Sequence, residues 1–246
     1  MSAGPSLRGY IVEGLPLIKP GDDLALLIES LFAVQDGDIL CLASTIVAKS
    51  EGRFRNLESY RPSERAERIA RLSGKDPRFV QAVLEESADV ILEEPFLLTK
   101  TCFGHIGVNS GIDQSNVGDG RILLLPQDPC RSAEGLRRSL RKECAVIITD
   151  TCGRPFRFGV TGVAIGWAGI SAMRDWRGKR DLHGRPLEIT LEAVVDEIAS
   201  AANLLMGEAG DGTPAVVFRG LQLSSGDQRS VFMPEDRDVI RPLLRR

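Results

Sequence analysis

Residues 145–166 have the sequence AVIITDTCGRPFRFGVTGVAIG, in which two apolar runs flank a polar cluster. The first apolar run, at residues 145–148, predicts a buried strand that we expect to end at the polar residues 149–151. Gly153 and Pro155 then predict a break in regular structure. A carboxylate and two hydroxyl groups are therefore expected at the tip of a buried strand.

Two interpretations of this strand tip remain open. Asp150 supplies hard carboxylate oxygen, which Mg²⁺ and Mn²⁺ prefer, and the guanidinium groups of Arg154 and Arg157 match phosphoryl oxygens in shape and charge. These residue types favour a site for a metal ion and a phosphate group. The alternative is an Asp-Thr turn that caps backbone groups between surface arginines.

A second polar segment, STIVAKSEGR at residues 44–53, follows a predicted strand at residues 38–43. Ser44, Thr45 and Lys49 favour a phosphate-binding segment. The alternative is a helix that starts here, capped by Ser44 or Thr45, with a solvated lysine. The P-loop pattern GxxxxGK(S/T) is absent from the whole chain.

Two polar loops are further candidates for ligand binding. Residues 104–117 combine Gly, Asn, Ser and Asp with scattered Ile and Val, which favours a backbone that folds closely around a ligand. Asp113 and Asn116 would share one side of a helical turn there, whereas a β-hairpin with Asx turns is the alternative. Residues 175–185 form a basic loop with one Trp, which favours a small anionic ligand.

Local patterns also predict the main helices and strands. Apolar residues at helical spacing predict helices at residues 22–34 and 191–206, and Ser132 is expected to cap another helix. Residues 187–190 are predicted to form a strand. Glu208, just after the longest helix, either reaches a metal or belongs to a helix C-cap. The uneven alternation of elements favours an α/β or α+β fold over a regular doubly wound sheet.

The composition argues against several classes of protein. A net charge of −3 and a pI near 5.6 do not indicate a nucleic-acid partner, and no apolar run approaches the roughly 20 residues that span a membrane. Five dispersed cysteines without a CxxC pair, together with two histidines, argue against a zinc site and indicate reduced thiols in the cytoplasm. No GxGxxG or GxSxG motif supports a dehydrogenase or a serine hydrolase.

Seven segments, in their order along the chain, resemble the coenzyme F420-0:L-glutamate ligase family, the γ-glutamyl ligases of the deazaflavin cofactor F420. The segments are GLPLIKPGDDL, DGDILCLASTIVAKSEGR, GIDQSNV, LLLPQDP, VIITDTCGRPFRFGVTGVAIG, RGKRDLHGRPLEIT and DEIASAANLLMGEAGDGTPAVVFRG. Together they cover nearly the whole chain, and several are long and uncommon.

The resemblance implies a GTP-dependent amide ligase. The terminal carboxylate of F420-0 would be phosphorylated by GTP, and the amine of L-glutamate would then attack the acyl phosphate, with two Mg²⁺ or Mn²⁺ ions and, in addition, K⁺ as cofactors. It implies the family's own fold, with mixed sheets in an intertwined homodimer that binds neither nucleic acid nor membrane. Residues 1–246 would form a single ligase domain without the C-terminal reductase-like extension of some members.

Carried over position by position, the resemblance also implies roles for individual residues. The nucleotide contacts would be Leu15, Pro16, Leu17, Ile18, Ser44, Thr45, Lys49, Asn116, Met206 and Gly207. The metal ligands would be Asp113, Asp150, Thr151 and Glu208. Asp150 and Arg154 are the expected catalytic residues, and charge alone suggests that Arg154, Arg157 and the basic residues 177–180 hold the anionic acceptor.

One position departs from the family pattern. Members usually carry an Arg-His pair where this chain has Cys102 and Phe103, and the loss of two cationic groups is expected to affect the acceptor, the length of the glutamate tail or the activity. A related amide ligase with another carboxylate acceptor and a non-catalytic GTP-binding protein of the same fold are the alternatives. The sequence leaves open the number of glutamates added, GTP against ATP, and the metal.

Overall fold

The computed structural model describes residues 6–114, 117–118, 120–221, 223 and 230–244. The strands found there are β1 Arg8–Ile11, β2 Ile39–Ala43, β3 Phe54–Asn56, β4 Ser87–Leu92, β5 Leu98–Thr101, β6 Ile106–Val108, β7 Arg121–Leu123, β8 Ala145–Arg154, β9 Arg157–Ala168, β10 Arg174–Asp175, β11 Leu191–Glu192 and β12 Ala215–Arg219. The helices are α1 Leu24–Leu31, α2 Ser44–Ser50, α3 Glu64–Ser73, α4 Pro77–Glu86, α5 Pro129–Ser139, α6 Val194–Met206 and α7 Arg241–Leu244. Within this described part, no helix has the length and apolar character needed to cross a membrane.

The central feature of the fold is a five-stranded sheet with the order β1-β12-β2-β8-β9. β2 and β8 run parallel, with Cys41 opposite Ile147, and the other neighbours are antiparallel. β2 and the first half of β8 are buried on both faces, which explains their continuous apolar sequences. Three smaller sheets, β3-β7, β4-β5-β6 and β10-β11, complete a mixed α/β architecture, as the sequence predicts.

β8 is longer than the sequence predicts, so the expected strand end at residues 149–151 is wrong. The strand continues to Arg154, and the polar residues lie in its middle. The chain reverses only at Pro155 and Phe156, after which β9 pairs back along β8, with Val163 opposite Asp150. The polar residues stay in strand conformation because β9 satisfies their backbone groups, a long-range effect that no local pattern contains.

A β-bulge in β9 determines which helix Gly162 and Gly166 face. The register with β8 shifts between Gly166 and Ala164, so that Ile165 is an extra residue. As a result, Gly166 faces α5 and Gly162 faces α6, and a Cβ at either position would overlap helix backbone. Both helices approach the sheet this closely only because neither residue has a side chain.

The three largest buried clusters of apolar residues in the described part of the chain pack its sheets and helices together. One face of the central sheet packs against α1, α2 and α5 through residues such as Ile28 and Ala133. The other face packs against α6 through residues such as Ile198. Residues 54–124, here called the small lobe, contain α3, α4 and strands β3 to β7. The lobe has a core of its own, to which Val80 belongs.

Two further local predictions are corrected by the structure. Asp128, not Ser132, caps α5, because its carboxylate accepts a hydrogen bond of 3.0 Å from the backbone N–H of Arg131, and Pro129 occupies the first turn. Ser132 lies inside the helix. Residues 187–190 form no strand, and the strand that pairs with β10 is β11, immediately after them.

Candidate functional site

A cleft of about 660 Å³ opens where the central sheet meets the small lobe. It lies at the carboxyl end of β2 and at the middle of β8, where the parallel pairing of the two strands ends with Ala43 opposite Thr149. Open α/β sheets bind ligands at this edge of parallel strands. The central sheet contributes the end of β2 and residues 149–151 of β8, and α6 contributes its last residue, Met206. The small lobe contributes residues 111–113 and 123–124.

The cleft gathers nearly all the site residues that were named from the sequence, although they come from distant segments. Its lining includes Leu15, Pro16, Leu17, Ile18, Ser44, Thr45, Lys49, Asp113, Asp150, Thr151, Met206, Gly207 and Glu208. Asn116 lies outside the described residues, so its predicted nucleotide contact remains a prediction. Arg154 is described and does not line the cleft.

Asp150 lies among the other acids of the cleft. Its side chain is half-buried, and Oδ1 accepts a hydrogen bond of 3.3 Å from the hydroxyl of Ser44. Burial raises the pKa of the Asp150 carboxyl to about 6, and the negative charges of Asp113 and Glu208 act in the same direction. Hydrogen bonds from the backbone of Thr151 and from Ser44 oppose this shift. A bound cation would stabilise such a group of acids.

The segment after β2 combines features of both interpretations of its sequence. α2 begins at Ser44, as the helix alternative predicts, but the capping position is Ala43 and no side chain caps the helix. The buried Ser44 hydroxyl instead donates its hydrogen bond to Asp150. Lys49, in the last turn of the same short helix, lines the cleft.

The small lobe brings Asp113 and Gly111 to the cleft. The backbone of Asp113 exchanges two hydrogen bonds of 2.9 Å with Leu123, which fixes its position at the end of β7. Gly111 has a φ of 66°, and a Cβ there would lie 3.3 Å from Oδ2 of Asp150 and would clash with Leu125. Gly111 was not named from the sequence, although the glycine directly before Ile-Asp in the polar loop is a signal for such a close approach.

α6 ends at the cleft in a conformation that requires glycine. Gly207 has φ 73° and ψ 178°, a region that is almost closed to residues with a side chain. Next to it, Oε1 of Glu208 accepts a hydrogen bond of 2.8 Å from the side-chain amide of Asn203, and the Thr213 hydroxyl donates one of 2.8 Å to the carbonyl of Met206. Asn203 and Thr213 also line the cleft, and the only sequence signal for them is their closeness to the predicted helix end.

The cleft contains the type of donor atom, oxygen, that a hard divalent cation prefers. Asp113, Asp150, Thr151 and Glu208 offer oxygen donors, and among the described residues that line the cleft there is no cysteine or histidine. Over the described ranges, however, no three acidic, histidine or cysteine side chains come close enough to hold one ion. The acids therefore share one cleft without converging on a point, and Glu208 is held by Asn203.

Arg154 and the basic loop lie away from the cleft within a single chain. Arg154 is exposed at the end of β8, four residues beyond Asp150. Four residues of a strand correspond to a distance of about 13 Å between the two Cα atoms. None of residues 177–180 lines the cleft. Their assignment to the acceptor remains a prediction.

The departure at Cys102 and Phe103 falls in a cluster of aromatic rings. Phe103 stacks on His105, with ring centroids 6.4 Å apart and planes 10° apart, and both rings pack against Phe232. Burial lowers the pKa of His105 to about 4, so its imidazole is neutral near pH 7. Phe103 supplies packing here, whereas Cys102 is exposed, and neither side chain carries a positive charge.

Comparison with known proteins identifies the family of this chain. Residues 14–220 match the family model described as F420-0:Gamma-glutamyl ligase. A protein of Archaeoglobus fulgidus named coenzyme F420:L-glutamate ligase is 57% identical, over 96% of this chain and 97% of the relative. A protein of the same name from Natronomonas pharaonis is 54% identical, over 97% of this chain and 96% of the relative. Another, from Haloarcula marismortui, is 51% identical over 96% of each chain. The chain is therefore a ligase and belongs to the F420-0:gamma-glutamyl ligase family.

Proposed function

We propose that this chain, acting as one unit over residues 1–246, ligates L-glutamate to the terminal carboxylate of F420-0 with GTP as the energy source. The observation that carries the proposal is that nucleotide and metal residues named in advance, from five separate segments, line one cleft. The names of relatives more than half identical to this chain support the choice of substrates.

The proposed reaction has two balanced steps. A carboxylate oxygen of F420-0 attacks the γ-phosphorus of GTP, and the bond to the bridging oxygen breaks as GDP leaves. The amine of L-glutamate then attacks the acyl carbon, phosphate leaves and the amine releases a proton. Because both partners of the first step are anions, positioning and charge neutralisation provide most of the catalysis, and no covalent enzyme nucleophile is needed.

The residues of the cleft are suited to binding and orienting these anions. Among the described residues that line the cleft, Lys49 is the only lysine or arginine, so we assign it to the phosphates of the nucleotide. Leu17, 89% exposed at the rim, offers an apolar surface to the base. Bound at Asp113, Asp150, Thr151 and Glu208, Mg²⁺ or Mn²⁺ would supply neutralisation of the phosphoryl charge.

Replacement of Lys49 by alanine is expected to weaken nucleotide binding about 10- to 100-fold, because a hydrogen bond to a charged group is worth about 1.5–3 kcal/mol. Titration calorimetry with a non-hydrolysable GTP analogue measures the change. Lys142→Ala, which removes an exposed lysine outside the cleft, is the matched control and should bind as the wild type does. Equal affinity of Lys49→Ala and wild type would remove Lys49 from the nucleotide site.

The proposal is tested by a turnover assay with the purified chain, F420-0, L-glutamate, GTP and Mn²⁺, in which product masses and GDP are measured. Products heavier by one or more glutamate residues, with GDP release, would support it and would give the tail length. ATP in place of GTP tests the nucleotide. Mn²⁺-dependent GTP binding without product would reject F420-0 as acceptor and favour the related amide ligase, for which the uncharged Cys102-Phe103 position already argues.

We also propose that the chain acts as a homodimer. Phe156 and Phe158, at the tip of the β8–β9 hairpin, are 103% and 106% exposed, and Val160 beside them is also exposed. Such neighbouring apolar side chains on a projecting hairpin are typical of an interaction surface. A second copy of the chain is the partner that the family resemblance implies.

Light scattering should therefore give twice the chain mass of 26.8 kDa, and the double variant Phe156→Asp, Phe158→Asp should give the single mass. Charged side chains at these two positions would have to be desolvated in an apolar interface, which is unfavourable. Leu72→Asp, at an exposed leucine on α3, is the control and should stay dimeric. A double variant that keeps the dimer mass would exclude the hairpin tip as the interface.

A further inference from the structure

Three consecutive residues, Asn109–Gly111, adopt the left-handed conformation directly before Asp113. Their φ angles are 55°, 53° and 66°, and two of the three residues carry a side chain. Residues with a Cβ rarely adopt this conformation, and such backbone persists only where the surroundings hold it in place. The contacts that hold this left-handed turn therefore bear on the positions of the cleft residues Gly111 and Asp113.

Ser110 holds the turn through a buried group of three hydroxyls. Its side chain is 2% exposed, and Oγ lies 2.9 Å from Oγ1 of Thr99 and 2.7 Å from Oγ of Ser87. The backbone N–H of Ser110 also donates a hydrogen bond of 2.9 Å to Oγ1 of Thr99. Thr99 is fully buried in β5, so the turn is anchored to the interior of the small lobe.

The side chain of Asn109 does not hold the turn. Asparagine often supports the left-handed conformation by hydrogen bonds to nearby backbone. Here Oδ1 of Asn109 is buried without a hydrogen-bond partner in the part of the chain that the structure describes. Backbone hydrogen bonds of Asn109 with Leu97 and Ile112 hold the turn, and the side-chain contribution comes from Ser110 and Thr99.

The orientation of the turn determines where the cleft residues after it lie. Gly111 packs against Leu125 and directly beside Oδ2 of Asp150. Two residues later, Asp113 is fixed by its backbone pairing with Leu123. Only two residues separate Ser110 from Asp113, so we expect a change in the turn to act against this pairing and to disturb the position of Asp113 relative to Asp150.

We infer that Ser110, anchored by Thr99, is a positioning residue that holds Asp113 and the backbone of Gly111 in place relative to Asp150 in the cleft. The inference rests on the proposed function, in which Asp113 and Asp150 serve as metal ligands. Groups that orient metal ligands typically change metal affinity 10- to 100-fold when they are removed. Ser110 itself contacts neither metal nor substrate in this scheme.

The test measures Mn²⁺ affinity by electron paramagnetic resonance on the full chain without substrates, beside melting temperature and turnover. We expect Ser110→Ala and Thr99→Val to weaken Mn²⁺ binding about tenfold or more, and Thr99→Ser, which keeps the hydroxyl, to restore it. Thr101→Val is the matched control, because it removes another buried β5 hydroxyl, one that donates to the His105 carbonyl instead.

The outcomes separate this inference from the proposed function. Weaker Mn²⁺ binding in Ser110→Ala and Thr99→Val, with wild-type affinity in Thr101→Val, would support positioning, since a purely structural role would lower only the melting temperature. Wild-type Mn²⁺ affinity in folded Ser110→Ala or Thr99→Val would overturn the inference and leave the proposed function intact. A wild-type chain that neither binds Mn²⁺ nor ligates glutamate would overturn both.

Discussion

Asp150→Asn should abolish ligation and, at neutral pH, stabilise the metal-free protein. If Asp150 is a metal ligand as proposed, its replacement removes several kcal/mol of phosphoryl-charge stabilisation, so we expect turnover to fall by about a thousandfold or more. Asparagine has nearly the same volume and can still accept the hydrogen bond from Ser44, so the fold should persist. Turnover with saturating GTP and Mn²⁺ measures the first effect, and near-normal activity would reject the metal assignment.

The stabilising effect follows from the raised pKa of Asp150. The pKa rises from 3.8 to about 6 on folding, so between these values the folded state retains a proton that the unfolded chain has released. The metal-free wild type therefore loses stability as the pH rises from about 4 to about 6, by about 2 kcal/mol after allowance for the partial exposure of the group. Asp150→Asn carries no such charge, and its advantage should be small at pH 4 and complete above pH 6.

Urea unfolding in EDTA at pH 4 and at pH 7 measures this difference. Asp196→Asn is the matched control, because burial also raises the pKa of Asp196, yet this residue lies outside the cleft and accepts a hydrogen bond of 2.9 Å from the Ala164 backbone. It should retain turnover. An Asp150→Asn protein with the same dependence of stability on pH as the wild type would show that Asp150 is not a destabilising buried charge.

Gly162→Ala is expected to destabilise the protein by about 3 kcal/mol, the largest effect on stability that we predict for a single methyl group. A Cβ at residue 162 would overlap the carbonyl oxygen of Ala199 and press on Asn203, so α6 must move away from β9. The melting temperature should fall by roughly 6–12 °C for a chain of this size. Because α6 carries Met206 and Glu208 to the cleft, nucleotide affinity should fall as well.

Gly153→Ala is the control for this substitution. Gly153 lies in the same hairpin, and a Cβ there has no atom of the described chain within 4 Å. Its melting temperature should stay within about 2 °C of the wild type, as expected for an exposed site. Equal melting temperatures for Gly162→Ala and wild type would mean that α6 can move away from β9 at no cost in stability.

Much of the secondary structure follows from the sequence because its causes are local. Helical spacing, which acts within a few residues, predicts helices at residues 22–34 and 191–206, and the structure has α1 and α6 there. Residues 191–192 form β11 instead of the predicted first helical turn. The continuous apolar sequence of β2 predicts a strand buried on both faces. The prediction at residues 149–151 was wrong because a distant partner overrides the local signal: these residues remain in β8 because β9 pairs with them.

The candidate site shows the same division between local and long-range causes. Residue chemistry and family motifs named every carboxylate and the one lysine among the described residues that line the cleft, since such groups can be recognised without coordinates. The hydrogen bond between Ser44 and Asp150 joins residues 106 positions apart, and the close approach of Gly111 depends on how the small lobe packs. Only the tertiary structure reveals them, because contacts across such loops depend on the packing of whole lobes, which local spacing does not encode.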